Sequence, residues 1–565
     1  MKTFCSFLTL LSLFGTVQAD SKTTYKSVKN IPKEDLEKVI SPELKGIVLV
    51  PSKNQLIREH ELKNVSGVQI IDVPLPNPPC DDLIQPLSKF LNEPLTFKRL
   101  QEIKNKIYQF YEGSFHPLVA IEIPTQDITD GVLQVIVSES RLGKVHVEGN
   151  ALWSNLDQIQ NSFQINPGSY IDDRVVTSDL NFWNRSPFRR VSAIYEPGQT
   201  EGTTDLLLLV EDIRSYQFYV GTDDSGLKTT KEELIYAGMT LGNCFDLGHI
   251  FSYQYTTTDF HALQANTAQY IAPLPNFQLI NLYGGFATVH PKNIYPAKTS
   301  SGYIGQASLR YIIPLTSTYN LNHEIAVGYD YKRMNSDLFF VPETAFAPFH
   351  QTVNLTQFVA TYSGRYQLPK YTLTFALEAY TSPYSWLPQQ SNADYSALSP
   401  GAKHKWIYGR AAFNYYQTLP AECYLACMMQ AQLSSNTLLP SEQFGLGGYD
   451  TVRGYDARVL NQDNAILLSV EFHSPRWKII QYVKPCTTLT DGLELLAFID
   501  FSYGMNYTPV PGQKRHDYLA GIGPGLRYVV DPYLTSRLDW GIKLHKNNEI
   551  GKTLGFIHFA VVVSF

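Results

Sequence analysis

Arg537-Leu538-Asp539-Trp540-Gly541-Ile542-Lys543-Leu544 alternates without a slip. Leu538, Trp540, Ile542 and Leu544 fall on one face, and Arg537, Asp539, Gly541 and Lys543 on the other. Successive side chains of a strand point to opposite faces, so this octet reads as a strand with one apolar and one polar side. The final decapeptide, Phe556 to Phe565, repeats the pattern: Ile557, Phe559, Val561, Val563 and Phe565 oppose His558, Ala560, Val562 and Ser564. Further candidates are 251–257, 303–313, 323–332, 353–366, 372–381, 406–416, 465–472 and 495–501, separated by turns rich in Asn, Gly, Pro and Ser. Segments of about ten residues, apolar on one side and polar on the other, are the signature of transmembrane β-barrel strands. About 16 strands in residues 214–565 leave about 22 residues for each strand and its loop, which suits short inner turns and longer outer loops. The expected fold is a transmembrane antiparallel β-barrel of about 16 strands.

A soluble β-sandwich also alternates, and composition separates the two. The chain has 565 residues, of which 17% are charged, 13% are aromatic and 36 are Tyr. Of the 194 residues 20–213, 47 are charged, about 24%; of the 352 residues 214–565, only 50 are, about 14%. An ordinary soluble protein has roughly 25%. The second part lacks charge and is rich in the Tyr and Phe that form girdles at a membrane interface. High aromatic and low charge content excludes a disordered chain. A net charge of −6 excludes the basic footprint of a nucleic-acid binder.

The N-terminus, MKTFCSFLTLLSLFGTVQAD, combines Lys2, an apolar run over 4–14 and a small-residue end at Ala19. It reads as a secretory signal peptide, residues 1–19, too short to anchor in a membrane. No later apolar run approaches the ~18 residues of a membrane helix. A closed barrel is the other structure that can satisfy its backbone in lipid. The mature cysteines Cys80, Cys244, Cys423, Cys427 and Cys486 are odd in number and fit neither a disulfide framework nor a zinc site. No metal or cofactor is expected.

Residues 20–62 form a polar lead with a short acidic helical candidate over 32–40 and a possible strand over 46–50. A β-α-α-β-β pattern of about 70 residues then occurs twice, over 63–140 and 141–213. The first copy runs through a strand at 68–73, helices at 81–91 and 96–111, and strands at 118–123 and 131–137. The second has a strand at 143–150, helices near 154–163 and 173–183, and strands at 191–195 and 204–210. This pattern resembles the POTRA domain, a periplasmic module beside outer-membrane barrels. Pro124-Thr125-Gln126-Asp127, the stretch Asn181-Phe182-Trp183-Asn184-Arg185-Ser186-Pro187-Phe188-Arg189, and Pro197-Gly198 resemble the turns of ShlB-type POTRA domains. Such a module can bind an extended client by adding it as a strand to an exposed sheet edge.

The most specific stretch is Gly445-Leu446-Gly447-Gly448-Tyr449-Asp450-Thr451-Val452-Arg453-Gly454-Tyr455. Its glycines do not complete G-x-G-x-x-G and no βαβ context surrounds it, so it is not a dinucleotide loop. Gly551-Lys552-Thr553 likewise lacks the upstream glycine of a phosphate loop. Val452, Arg453, Gly454 and Tyr455 resemble the VRGY motif of a loop that folds into the lumen in the outer-membrane assembly and transport superfamily. Leu496-Ala497-Phe498-Ile499-Asp500-Phe501 resembles that superfamily's F-x-D strand. The resemblance implies that Arg453 meets Asp500 as a latch on the loop, and that Glu471 faces the lumen as a further acid. The terminal Phe565 resembles the signal by which barrels are folded into the bacterial outer membrane.

Taken together, the chain resembles the haemolysin secretion/activation transporters of two-partner secretion (the ShlB/FhaC/HecB type). That resemblance implies a monomeric outer-membrane barrel with periplasmic N-terminal domains, surrounded by lipid and folded by the barrel-assembly machinery. It would bind an exported partner protein and pass it outward without nucleotide. In this family an N-terminal helix often plugs the barrel, and 32–40 is the candidate here. The alternatives are a barrel insertase or assembly factor, and a passive porin with a periplasmic domain. No HExxH, G-x-S-x-G or complete phosphate loop supports catalysis.

Overall fold

The computed structural model describes residues 36–76, 81–228, 230–290, 302–335, 352–483, 489–509, 513–546 and 553–565. The expected signal peptide, Cys80, Cys486, Gly551 and Lys552 lie outside them. Nine short strands come first: β1 (Val39–Ser41), β2 (Gly46–Val50), β3 (Gly67–Ile70), β4 (Leu95–Thr96), β5 (Val119–Glu122), β6 (Val132–Glu139), β7 (Arg141–Asn150), β8 (Arg189–Pro197) and β9 (Thr203–Asp212). They build two α+β units.

In the first unit the sheet order is β3-β2-β6-β5. Strand β2 pairs in parallel with both β3 and β6. Its sequence Gly-Ile-Val-Leu-Val is wholly buried, as a central parallel strand covered on both faces must be. The first unit therefore begins before residue 63, and the boundary expected at 62/63 moves toward the N-terminus. The helical candidate at 32–40 is also corrected where it is described. Val39–Ser41 is a strand, paired with Leu95–Thr96; residues 32–35 lie outside the described ones. Nine residues are too few to hold an isolated helix in water, and the β4 backbone offers ready hydrogen-bond partners instead. The Phe97–Gly113 helix is capped by the Thr96 side chain, which accepts the Arg99 N–H, and buries Ile103, Ile107 and Tyr111.

The second unit has the order β7-β9-β8, backed by helices Leu156–Ser162 and Asp173–Trp183. It buries two carboxyls, Asp179 and Asp212. Asp179 is 1% exposed, and its Oδ2 accepts the Gln164 N–H at 2.8 Å. Burial pushes this carboxyl up to about 7, against about 3.9 in an unfolded chain. Folding thus takes up a proton between about pH 4 and pH 7. The carboxyl costs nothing below that window, and its cost grows as pH rises through it. Asp179→Asn keeps the acceptor and cannot ionise. Hydrogen exchange of the Asp173–Trp183 helix in the whole protein should be slowed by this change roughly tenfold or more at pH 8, and hardly at all at pH 4. Equal rates at pH 8 would show that the ionised carboxylate is tolerated.

Sixteen strands follow in one closed antiparallel barrel. They are β10 (Tyr216–Asp223), β11 (Leu234–Cys244), β12 (His249–Thr257), β13 (Leu263–Pro273), β14 (Leu279–Val289), β15 (Gly302–Pro314), β16 (Leu321–Asn335), β17 (Thr352–Gln367), β18 (Tyr371–Ser382), β19 (Trp406–Thr418), β20 (Tyr424–Ser434), β23 (Asn464–His473), β24 (Thr490–Met505), β25 (His516–Asp531), β26 (Leu534–Lys543) and β27 (Gly555–Ser564). Two further short strands, β21 (Phe444–Leu446) and β22 (Leu460–Gln462), pair with each other and take no part in the wall. Every barrel strand pairs with its neighbour, and β10 pairs with β27 from Tyr219↔Ser564 to Asp223↔Ala560. Phe565 extends that seam: its N–H donates to the Phe218 carbonyl at 2.8 Å. Closure leaves no open edge, which lipid would leave unsatisfied.

The alternation read from the sequence is the inside and outside of this wall. Leu538 and Trp540 are 48% and 47% exposed on the outer face, whereas Asp539 and Lys543 are 0% and 3% exposed on the inner one. Cys244, Cys423 and Cys427 are free thiols. The second unit is docked against the near end of the barrel. Phe182 packs at a tilt against Phe277 of the β13–β14 turn with centroids 4.5 Å apart, and Phe277 and Leu279 belong to the second unit's apolar core. Arg185 pairs with Glu324 at the start of β16, and the Ser317 N–H donates to Ser178 Oγ at 2.8 Å.

Candidate functional site: the loop in the barrel lumen

Residues 435–463, between β20 and β23, return into the lumen instead of leaving the barrel. Gly447, Gly448 and Gly454 have φ of +96°, +100° and +95°, turns that glycine makes without steric cost. The β21–β22 ribbon stiffens the stem. Phe444, Leu446, Val452 and Tyr455 then pack on Ala465, Leu467 and Leu519 of the wall in one buried cluster.

Arg453 stands at the tip. Its Nε donates to Asp500 Oδ2 at 2.8 Å and its Nη2 to Asp500 Oδ1 at 2.7 Å. Its own backbone N–H adds a third bond to Oδ2 at 3.0 Å. This is the two-pronged geometry that only a guanidinium makes with a carboxylate. Phe498 and Asp500 lie two apart on β24 and so share the inner face; the Arg453 Cζ sits 3.4 Å from the Phe498 ring centre. The F-x-D spacing thus supplies a carboxylate and a π face to one cation. Nη1 donates to Glu471 and lies 3.5 Å from Asp539. Asp539 also takes Arg527 at 2.6 Å and Arg537 at 2.6 Å. Three guanidiniums therefore face three carboxylates and balance at the buried centre, while Arg537 also lies 3.9 Å from the half-exposed Asp450. Glu471 continues outward through His473 to Glu494, at 2.9 and 3.4 Å.

The rest of the motif is held as closely. The Gly454 N–H donates to His558 Nε2 at 2.9 Å, and His558 Nδ1 lies 2.5 Å from Asp224 Oδ2. Because Nε2 accepts, the ring proton belongs on Nδ1 and points at that carboxylate. The Tyr455 hydroxyl reaches the carbonyls of Ala520 and His545 at 2.8 and 2.7 Å. Glycines on the wall permit this approach. A Cβ on Gly541 would stand 2.2 Å from the Gly454 nitrogen, and one on Gly521 would stand 2.3 Å from the Arg453 carbonyl oxygen. Gly541→Val should therefore unseat the tip. Single-channel conductance in planar bilayers should rise several-fold, while the folded barrel keeps its heat-modifiable migration on gels. Native conductance would show that the wall yields.

A second anchor holds the stem of the loop. Glu442 is 1% exposed. Lys332 of β16 donates to its Oε1 at 2.8 Å. Tyr408 of β19 donates to its Oε2 at 2.7 Å, and Gln357 of β17 at 3.3 Å. Arg410 and Gln432 donate to its backbone carbonyl at 2.9 and 3.1 Å. Asp463 closes the stem by accepting the N–H groups of Leu438 at 2.9 Å and Tyr507 at 3.0 Å. The loop is thus tied to β16, β17, β19 and β20 at its base and to β23–β27 at its tip.

The structure brings Val452, Arg453, Gly454, Tyr455, Glu471 and Asp500 together in the lumen. Phe565 lies apart, exposed at the near rim. Sequence reasoning missed Glu442, Lys332, His558, Gly521 and Gly541. Asp539 could have been found, since it sits on the polar face of the alternating octet 537–544.

The comparisons with known proteins agree with this architecture. Residues 202–528 match the family described as haemolysin secretion/activation protein ShlB/FhaC/HecB. The heme/hemopexin transporter protein HuxB of Haemophilus influenzae (strain 86-028NP) is 20% identical over 495 residues, 83% of this chain and 82% of that protein. The outer membrane transporter CdiB of Dickeya dadantii (strain 3937) is 21% identical over 406 residues, 69% of each chain. The solved structure of CdiB from Escherichia coli superposes with a TM-score of 0.71 at 15% identity, covering 100% of this chain and 97% of that one. With a matching family over more than half its length, this chain belongs to the haemolysin secretion/activation (ShlB/FhaC/HecB) family and is an outer-membrane transporter of two-partner secretion, its N-terminal units in the periplasm.

Proposed function

We propose that the lumen loop is the gate of the export conduit, with Arg453 and Asp500 as its latch. One observation carries this reading: the tip is held by a charge-balanced cluster of directional polar bonds around Arg453. Such bonds can be exchanged for others, so the tip can leave its seat and return, at the cost of uncovering Val452 and Tyr455 from their apolar contacts with the wall. The exported partner, a large haemolysin- or adhesin-type exoprotein, docks first on the periplasmic units as an added strand. In the second sheet β8 is an outer strand, paired only with β9, and its Ile194 is exposed. That makes β8 the edge best placed to take an extended client.

The test is export itself. The exoprotein encoded beside this chain's gene should reach the medium of a Gram-negative host only when this chain is co-expressed. A general loss of other barrels on deletion would instead identify an assembly factor, and conductance with no dependent exoprotein would identify a porin. Phe565 serves as the signal read by the barrel-assembly machinery. Its deletion should sharply lower the folded barrel in cells while leaving refolding in detergent intact; an effect on both would assign it to stability.

A further inference from the structure

We propose that the exported chain crosses the barrel along the inner face of β11–β14, a wall without fixed charge. This rests on the export reading above and adds the path. Two independent observations carry it.

The first is chemical. Strands β11, β12, β13 and β14 contain no Asp, Glu, Lys or Arg, and the one His among them, His249, lies on the outer face. The register assigns the faces. Gly238, Gln254, Thr267 and Gly285 pair across the four strands in one inward row, and Thr240, Ser252, Gln269 and Tyr283 in the next. Leu282 and Phe286, which flank those rows on β14, are exposed outside. Asn281 adds to the inward amides, with Gln269 donating to it at 3.1 Å. The remaining inner wall is different. β15 carries Arg310, which pairs with Asp330 and donates to Tyr283 at the edge of the uncharged wall at 2.8 Å; β16 carries Asp330 and Lys332, β19 carries Arg410, and β23–β26 carry the ions around Arg453. A fixed charge in a confined lumen would hold oppositely charged client segments and repel like-charged ones. Passage needs contacts favourable enough to enter and weak enough to leave. Hydroxyls and primary amides meet that need for a chain of arbitrary sequence, because they can donate and accept in turn.

The second observation is where this wall stands. Both near-end turns of β11–β14 rest on the second periplasmic unit. Asn243 Nδ2, before the β11–β12 turn, donates to the Trp153 carbonyl at 3.5 Å. Phe277, in the β13–β14 turn, packs against Phe182, and Ile271 packs on the same core. A client leaving the second unit therefore arrives at the foot of the neutral wall. The Glu442 anchor of the loop lies further round the barrel.

The test uses the whole protein in outer membranes and the exoprotein encoded beside its gene, stalled in transit by a fused disulfide-bonded domain. Photoreactive p-benzoylphenylalanine replaces Thr267 or Gln269 on β13, or Ala376 and Ala412 on the inner faces of β18 and β19. Adducts with the stalled client at 267 and 269, and few at 376 and 412, are expected. Equal or greater yield at 376 and 412, or adducts at 267 and 269 only with this chain's own residues, overturns the path. A second measurement avoids the bulky probe. Thr267→Lys with Gln269→Lys should cut export at least tenfold, whereas Ala412→Lys should change it less than twofold, each barrel keeping its heat-modifiable migration. Undiminished export by the double-lysine variant overturns the inference. Should the unmodified protein export nothing, the gate and the path fall together; export with adducts on the wrong wall overturns the path alone.

Discussion

Arg453→Ala should cut export of the partner at least tenfold while the barrel still assembles and migrates as a folded species. Replacement removes the two-pronged bond to Asp500, the contact with Phe498 and the pair with Glu471 in one step. Three carboxylates are then left with two guanidiniums in a region where Asp500 and Asp539 have no access to water. Removing one partner of a buried pair costs about 3–5 kcal/mol because the other charge stays buried and uncompensated. The loop tip should take most of that cost, since the wall strands have closed backbone pairing whether or not it is seated. Arg453→Lys keeps the charge but not the fork, and should give intermediate export. Accessibility of the loop to added protease should rise in the same order. Normal export by the alanine variant would end the latch role.

Glu442→Ala should lower the temperature at which the barrel loses its folded migration, by an amount set by another uncompensated buried charge. Lys332 would lose the carboxylate at 2.8 Å, with its side chain only 8% exposed. Tyr408 would lose its acceptor as well, and Gln357 would keep only Asp330, at 3.1 Å. The same range, about 3–5 kcal/mol, applies. The diagnostic variant is the double one. Glu442→Gln with Lys332→Met removes both charges together, keeps an acceptor for Tyr408, and should recover most of the loss. If the double variant is as unstable as the sum of the singles, the pair does not act as a unit. Export distinguishes the two anchors. The Arg453 change should act mainly on export, and the Glu442 change on both export and barrel stability, because its partners are four wall strands.

How much could be read in advance follows from the distance between interacting residues. The barrel was legible because alternation is local. Eight residues such as 537–544 declare their two faces without reference to any other strand, and the environment on each side imposes the pattern. The tip of the loop was legible through the VRGY and F-x-D motifs, with Arg453 and Asp500 only 47 positions apart. Glu442 was not. A lone glutamate between Ser441 and Gln443 has no periodicity, and its lysine partner lies 110 positions away. Gly521 and Gly541 read as ordinary strand glycines until the loop backbone is seen pressed against them.

The first periplasmic unit shows the same limit. Gly46–Val50 was legible as a strand from its apolar run, yet its place at the centre of a sheet depends on Val132–Ile136, more than 80 residues further on. The sequence by itself determined the two-environment division near residue 213, the inside and outside of the wall and the identity of the loop tip. Each of these is set by short-range periodicity or by a compact motif. Only the tertiary structure decided the membership of β2, the second anchor at Glu442, the close approach at Gly521 and Gly541, and the position of the uncharged wall above the second unit. Those depend on barrel closure, which brings distant strands into register and turns separate inner faces into one continuous surface.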